Sequence, residues 1–132
     1  MGFFDKVFKS EREIAKEDIV EIPWHPLTRH EQLEEIDKES EEKPVVIFKH
    51  STRCGISRMV LKKFEKEFPL VDTGNQKLYF LDLLSNRPIS DEIARHYQVR
   101  HESPQMLIIR NRKAVYHASH QSIEAEYLKE TD

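Results

Sequence analysis

The stretch "PVVIFKHSTRCGISRMVLKKFEKEF", residues 44–68, decides the fold. It opens with a proline and a continuous apolar run over 44–48, a pattern typical of a buried strand. Its second half, 57–68, spaces apolar side chains in a helical rhythm and predicts an amphipathic helix. The polar residues between the two segments include Cys54, the single cysteine of the chain. The pattern therefore places one thiol where a strand ends and a helix begins.

Strands and helices alternate through the rest of the chain. Strands are predicted over 77–84, 105–110 and 114–119, and helices over 90–99 and 122–130. The linker lengths favour parallel pairing of the first two strands, and the short "NRK" turn predicts an antiparallel hairpin near the end. A mixed four-stranded sheet flanked by helices, the thioredoxin-like α/β fold, satisfies both constraints.

Two helix starts are predicted from capping residues. Thr28 precedes a predicted helix over 29–40, and Ser90 opens the helix over 90–99. Serine and threonine are favoured at such positions because their hydroxyl oxygens accept hydrogen bonds from the first backbone N–H groups. We therefore expect both residues to act as N-caps.

The chain is expected to consist of an N-terminal extension (1–22) and a thioredoxin-like domain (23–132). Within the extension, residues 3–9 predict a short amphipathic helix. That helix either packs on the domain or docks on a membrane surface or a partner. No secretory signal is recognisable in this segment.

Composition excludes several function classes. The net charge of −3 argues against a general nucleic-acid binder. One cysteine excludes an intramolecular disulfide and a cysteine-rich zinc site, and it fits a reducing compartment. No apolar run approaches the roughly 18 residues of a membrane span, so a cytoplasmic protein without a transmembrane segment is expected. The pattern specifies no oligomeric state.

Charge is unevenly distributed along the chain. Residues 11–42 carry twelve acidic and four basic side chains, a net charge of −8. Residues 49–66 carry six basic side chains and one acidic side chain, a net charge of +5. The cysteine therefore lies in a basic segment of an acidic protein.

The residues around Cys54 are typical of a reactive thiol. The N-terminus of a helix exposes unpaired N–H groups and the positive end of its dipole, which favour a thiolate, and Arg53 adds a positive charge. Ser57 lies three residues later, on the same helix face, where its hydroxyl can donate a hydrogen bond to the thiolate. A serine cannot resolve a mixed disulfide, so C-x-x-S indicates one-thiol exchange. Thr52 and Gly55 are polar or small neighbours, and Gly55 leaves room for a substrate to approach.

Ser103 and Pro104 form the second element of the candidate site. A proline just before an apolar strand often marks a cis turn. In the predicted topology this loop faces the start of the helix after Cys54, so an extended substrate could pair with the main chain of Ser103. The alternative is an ordinary turn.

For several of these residues a purely structural interpretation stays open beside the functional one. Cys54 could be a small buried apolar residue, and Ser57 an ordinary first-turn residue. His50 could tune the thiol, although a hydrogen-bonded loop histidine is the simpler expectation. His117 and His120 lack cysteine partners and helical context, so no metal site is expected. The basic side chains of the helix are expected to form a solvated face: Arg58, Lys62, Lys63 and Lys66.

The segments "KHSTRCGISRMVLKKFE" and "HESPQMLIIRN" together resemble the monothiol bacilliredoxins, a thioredoxin-like family linked to the bacillithiol system and to general stress. The resemblance covers most of residues 23–130. The usual motif of that family is T-C-P-I-S, whereas Arg53 stands here at the threonine position and Gly55 at the proline position.

The resemblance implies a role for each matching residue. The nucleophile of the family corresponds to Cys54, its C-x-x-S serine to Ser57, and its cis-proline loop to Ser103 and Pro104. The implied activity is removal of bacillithiol from mixed disulfides on cytosolic proteins, with a small thiol such as bacillithiol as co-substrate and no other cofactor. The alternative is a non-catalytic, redox-responsive binding module in which Cys54 is capped reversibly under stress. A third possibility is a thioredoxin-fold scaffold with an inert thiol.

Overall fold

The computed structural model of the protein describes residues 22–51, 53, 55–71 and 76–130. The helix predicted over 3–9 lies outside this part of the chain, as do Thr52 and Cys54. The boundary between the N-terminal extension and the domain therefore stays a prediction.

The described residues form five strands and three α-helices, followed by two short 3-10 helices, His120–Ser122 and Ala125–Glu130. In chain order the main elements are β1 (Trp24–Pro26), α1 (Gln32–Glu39), β2 (Val45–His50), α2 (Gly55–Val71), β3 (Lys77–Asp82), α3 (Arg87–Tyr97), β4 (Gln105–Arg110) and β5 (Lys113–Ser119).

The strands form one mixed sheet in the order β1-β3-β2-β4-β5. Strands β1 and β2 run parallel to β3, while β4 is antiparallel to β2 and β5 is antiparallel to β4. This arrangement confirms the predicted thioredoxin-like topology, including the hairpin at residues 110–113.

The predicted number of four strands is wrong, because the structure adds β1 at the edge of the sheet. Trp24 pairs with Leu78 and Pro26 with Phe80. A proline is tolerated there because an edge strand leaves one side of its backbone unpaired. Pro26 is therefore compatible with a short edge strand.

The sheet separates two apolar clusters, because alternate side chains of each strand point to opposite faces. Helices α1 and α3 cover one face, where Leu33, Ile36 and Ile93 pack against Val45 and Ile47. Helix α2 and the second 3-10 helix cover the other face with the following buried residues: Val60, Phe64, Phe68, Val71, Ala125 and Leu128. Helices therefore flank both faces, as predicted.

Both predicted N-caps are wrong. Helix α1 begins at Gln32, and the Gln32 side-chain oxygen accepts hydrogen bonds from the backbone N–H groups of Thr28 (2.8 Å) and Arg29 (2.9 Å). Helix α3 begins at Arg87, so Ser90 lies within its first turns and is buried. Pro88, in the first helical turn, provides a backbone already restricted to helical φ.

The helix after the cysteine is longer than the helix predicted from the apolar pattern over 57–68. Helix α2 begins at Gly55, two residues before the predicted start, and extends to Val71 through Pro69. The predicted helix over 122–130 is replaced by the two 3-10 helices. Ile123, Ala125 and Leu128 are nevertheless buried against the α2 side of the sheet, which the amphipathic pattern indicated.

Candidate functional site

The strand order brings the two predicted parts of the site to one edge of the sheet. Strands β2 and β3 are parallel and end side by side, with His50 paired to Asp82. Strand β4 runs the opposite way and begins beside Lys49, which pairs with Gln105. The segment after β2 and the loop before β4 therefore meet at the carboxyl ends of the parallel strands, the usual location of sites in such sheets.

Helix α2 starts directly after the cysteine in the chain. Gly55 is its first residue, so Cys54, which lies outside the described residues, is bonded to the first residue of the helix. A helix of this length carries a positive partial charge at that end and unpaired backbone donors in its first turn. Arg53 is described and exposed to solvent.

Ser57 lies in the first turn of α2 and is fully buried. Its hydroxyl oxygen has no hydrogen-bond partner among the described residues. A buried hydroxyl without a partner costs free energy, so an ordinary first-turn serine would not be expected in this state. The geometry leaves the hydroxyl available to a group outside the described residues.

The loop before β4 contains the predicted cis proline. The Ser103–Pro104 peptide bond is cis, and Pro104 is buried. The Pro104 carbonyl accepts a hydrogen bond from the backbone N–H of His120 at 3.0 Å, which holds the loop from the β5 side. The Ser103 hydroxyl oxygen is buried and unpaired within the described part of the chain.

His50 is the last residue of β2 rather than a loop histidine, and it is buried. Its ring lies 5.4 Å from that of Phe80, and its Nδ1 atom has no hydrogen-bond partner among the residues described. Burial lowers the pKa of His50 below its usual 6.5, against the opposing charges of Asp82 and Glu65. The expected loop position of His50 is therefore wrong, because the residue ends β2, and the lowered pKa keeps its imidazole neutral at pH 7.

A groove of about 770 Å³ runs along the first half of α2. Ile56 and Met59, which are 45% and 71% exposed, give it an apolar surface next to the cysteine segment. The complete lining consists of His50, Gly55, Ile56, Arg58, Met59, Leu61 and Lys62. This volume lies within the range of sites that bind small molecules.

The basic side chains of α2 are exposed, as predicted, but they divide into two groups. Arg58 and Lys62 line the groove. Lys63 instead lies 3.9 Å from Glu67, one turn later on the helix. Two of the basic side chains of α2 therefore contribute positive charge to the groove.

Gly55 is not required by packing. A Cβ atom built at this position would meet only one described atom within 4 Å, Arg58 Nη2 at 3.9 Å, which is an ordinary contact. The Cβ atom of an alanine therefore fits the described surroundings of position 55.

The sequence pattern did not point to Lys49 or His101, which lie close to the site. Lys49 is completely buried, and its Nζ atom lies 3.3 Å from His101 Nδ1. A lysine in the otherwise apolar run "VVIFKH" was the available indication. A lysine at a buried strand position needs a polar partner, which the sequence could not identify.

Other site classes find no support in the described part of the chain. No three His, Asp or Glu side chains there are grouped so that they could hold a metal ion. Nor does any helix there combine the length and hydropathy needed to cross a bilayer.

Comparison with known proteins identifies the family to which the chain is similar. The family model "Monothiol bacilliredoxin BrxC" matches residues 25–128. A solved structure described as having a thioredoxin fold is 30% identical, with a TM-score of 0.70, and the match covers 83% of this chain and 93% of that chain.

Thioredoxins of known structure share the fold at lower identity. The thioredoxin of Malassezia sympodialis is 19% identical with a TM-score of 0.60, over 84% of this chain and 91% of its own. The thioredoxin of Fasciola hepatica is 22% identical with a TM-score of 0.59, over 81% and 94%. Since the family match extends over most of the chain, the protein belongs to the monothiol bacilliredoxin family of thioredoxin-like redox proteins.

Proposed function

We propose that the protein is a monothiol thiol–disulfide oxidoreductase that removes bacillithiol, or a related small thiol, from protein mixed disulfides through Cys54. The observation that carries the proposal is the sheet topology, which brings the start of α2 and the Ser103–Pro104 loop to one edge. Thioredoxin-like chemistry needs a thiolate at that helix start and a backbone beside it for the substrate.

The proposed reaction has two exchange steps. The Cys54 thiolate attacks the small-thiol sulfur of the mixed disulfide, forms a disulfide with the small thiol and releases the client cysteine as a thiolate. A second molecule of small thiol, as its thiolate, then attacks the capped Cys54. This step releases a disulfide of the two small thiols and restores the Cys54 thiolate, so the small thiol is both reductant and co-substrate.

Two buried hydroxyls support this assignment. Ser57 lies one turn after the cysteine, and its unpaired Oγ is suited to donate a hydrogen bond to a thiolate at position 54. The unpaired Oγ of Ser103 belongs to the loop proposed to hold the substrate backbone. His50 is neutral at pH 7, so the positive charge favouring the thiolate is assigned to the helix terminus and Arg53.

The groove along α2 supports binding of a substrate next to the cysteine. Gly55 belongs to its lining, so a ligand in the groove would lie within one residue of Cys54 in the chain. The proposed clients are S-thiolated proteins of the cytosol. Thr52 and Arg53, which directly precede the cysteine, are proposed to contact them.

The test uses a client protein that carries one bacillithiol mixed disulfide, with cap transfer followed by intact mass. Wild-type protein should remove many equivalents of cap when free bacillithiol is present, and Cys54→Ala should be inactive. Ser85→Ala, a change at an exposed turn serine, is the control for handling. Transfer by Cys54→Ala at the wild-type rate would exclude the proposal, and arrest after one cap per chain would instead indicate the redox-responsive binding module.

A further inference from the structure

Lys49 is a fully buried lysine on the strand that leads to the cysteine segment. Its Nζ atom donates a hydrogen bond to the Ser90 carbonyl oxygen in α3 at 3.3 Å. The same atom lies 3.3 Å from His101 Nδ1, and the Ser90 hydroxyl lies 3.2 Å from that nitrogen. One amine therefore connects β2, α3 and the loop between α3 and β4, residues 98–104.

The 98–104 loop has further contacts, which come from the strands that follow it. The Gln105 side-chain amide donates to the Arg100 carbonyl at 2.9 Å, and the Ser119 hydroxyl contacts the Glu102 carboxylate. Lys49 differs from these because it reaches the loop from β2, the strand whose next residues include Cys54.

The charges around this contact favour one protonation state. Burial lowers the pKa of Lys49 to about 8, with Asp91 opposing the shift and Arg87 adding to it. Burial and the positive charges of Lys49 and Arg87 lower the pKa of His101 below 6.5, against Asp91 and Glu102. At pH 7 a charged Lys49 therefore faces a neutral His101, whose Nδ1 accepts when its proton is on Nε2.

We propose that Lys49 is a positioning residue for the 98–104 loop, joining the strand before the cysteine to α3 and to His101, two residues before Ser103. The proposal rests on the proposed function, because that function gives the Ser103–Pro104 part of the loop its role in holding substrate. Losing the charge on Lys49 weakens the contact with His101 and with the Ser90 carbonyl, since charge-assisted hydrogen bonds are the stronger ones. The loop then holds a mixed-disulfide substrate less well, while Cys54 keeps its reactivity.

The first experiment follows the loop itself by backbone amide NMR between pH 6 and pH 9.5. In the wild type, the amide resonances of residues 100–103 should shift with a midpoint near the Lys49 pKa of about 8. The shift should be absent in Lys49→Met, which keeps an unbranched side chain of similar length without the amine. Lys38→Met, at an exposed lysine of α1, should keep the shift. An identical titration in Lys49→Met would overturn the proposal.

The second experiment separates positioning from thiol reactivity. In Lys49→Met, kcat/KM for a mixed-disulfide client should fall by about fivefold or more, mainly through a higher KM. The rate of Cys54 alkylation by iodoacetamide should stay within about twofold of wild type, since the thiol environment is unchanged. A wild-type KM in this variant would overturn the proposal.

The two proposals fail in different ways. If the wild-type protein has no turnover, the proposed function fails, while the amide titration still decides whether Lys49 positions the loop. If turnover is normal but Lys49→Met leaves both loop and KM unchanged, the positioning role fails alone. Should Lys49→Met not fold, His101→Leu removes the contact with Lys49 from the loop side, and the same rise in KM is expected.

Discussion

The two ends of the sheet differ in how fully their buried polar groups are hydrogen-bonded. At the hairpin end, where β4 turns into β5, the Ser40 carbonyl accepts hydrogen bonds from Asn111 N and Arg110 Nη1, both at 2.7 Å. At the site end, where β2 leads to the cysteine segment, buried atoms of four residues have no partner within the described residues: His50 Nδ1, Ser57 Oγ, Ser103 Oγ and Gln105 Oε1.

Hydrogen bonds therefore close the hairpin end, whereas the site end keeps buried polar atoms without a partner among the described residues. Buried polar atoms are normally satisfied, so each unsatisfied one calls for an explanation. At the site end, the four lie in β2, in the first turn of α2, in the cis-proline loop and at the start of β4. The difference teaches that unpaired buried atoms, rather than burial alone, distinguish the end of the sheet where the candidate site lies.

The largest expected effect comes from removing a paired group near the hairpin end. Asp37 is buried and accepts hydrogen bonds from Tyr97 Oη and His96 Nε2, both at 2.7 Å. Asp37→Ala should lower the free energy of unfolding by about 3 kcal/mol, because it leaves the Tyr97 hydroxyl buried without its acceptor. Urea unfolding measures the change, with Glu35→Ala, at an exposed acid of the same helix, as the control.

A double-mutant cycle with Tyr97→Phe locates this effect. Burial and the hydrogen bond to Asp37 raise the pKa of Tyr97, so the hydroxyl stays protonated and donates to the carboxylate. If the two changes are additive, the carboxylate does not act through Tyr97 and the hairpin end is held in another way.

The second effect concerns Lys49, a charged group at the site end. Its pKa is about 8 in the folded protein and near 10.5 when the side chain is exposed. Between pH 8 and pH 10.5 the unfolded chain therefore binds more protons than the folded protein does. Wild-type stability should therefore rise from pH 8 toward pH 10 relative to Lys49→Met, by up to about 3 kcal/mol. Denaturant midpoints for both proteins across this range provide the measurement, and parallel curves would contradict a buried charged amine.

Two fully buried serines test the comparison most directly. Ser40 Oγ donates to the Asp37 carbonyl at 2.6 Å and accepts from Arg112 N at 2.8 Å, whereas Ser57 Oγ is unpaired among described atoms. Ser40→Ala should cost about 1–2 kcal/mol of stability, while Ser57→Ala should be neutral or slightly stabilising.

The rate of Cys54 alkylation should be affected by the Ser57 substitution and not by the Ser40 substitution, the reverse of their effects on stability. Ser57→Ala should slow alkylation of Cys54 near neutral pH, because the thiolate loses a hydrogen-bond donor, while Ser40→Ala should leave the alkylation rate unchanged. Equal stability losses in the two variants, or an unchanged alkylation profile in Ser57→Ala, would remove the distinction between the two ends.

The smallest expected effect is at Gly55. Alanine fits its described surroundings and loses less conformational entropy on folding, so Gly55→Ala should raise stability by about 0.5–1 kcal/mol. Thermal unfolding gives the shift in Tm. A decrease would mean that a group outside the described residues fills the space above Gly55.

Much of the candidate site followed from local pattern. The run over 44–48 and the rhythm over 57–68 placed the cysteine between a strand and a helix, and the structure has β2 ending at His50 and α2 beginning at Gly55. The proline before an apolar run indicated a cis turn or an ordinary turn at Ser103–Pro104, and the structure has the cis bond. Hydrophobic periodicity and proline chemistry are local properties, so a sequence expresses them directly.

Other features escaped because their causes are not local. The strand Trp24–Pro26 exists because its backbone pairs with β3 and because Trp24 packs on Phe48, at 5.7 Å between ring centroids. The predicted caps Thr28 and Ser90 were wrong because the Gln32 side chain and Pro88 determine those helix starts. Each case depends on competition between neighbouring groups that a pattern of residue types does not resolve.

By itself, the sequence determined the order of strands and helices from β2 to β5, the single thiol at a helix start and the serine where a resolving cysteine would stand. Only the tertiary structure decided which buried polar atoms find partners. It paired Lys49 with Ser90 and His101, 41 and 52 residues away in the chain. It left Ser57 Oγ unpaired among the described residues. The physical reason is that hydrogen bonding requires atoms within about 3 Å and correct orientation, and only the packed sheet and helices set those distances.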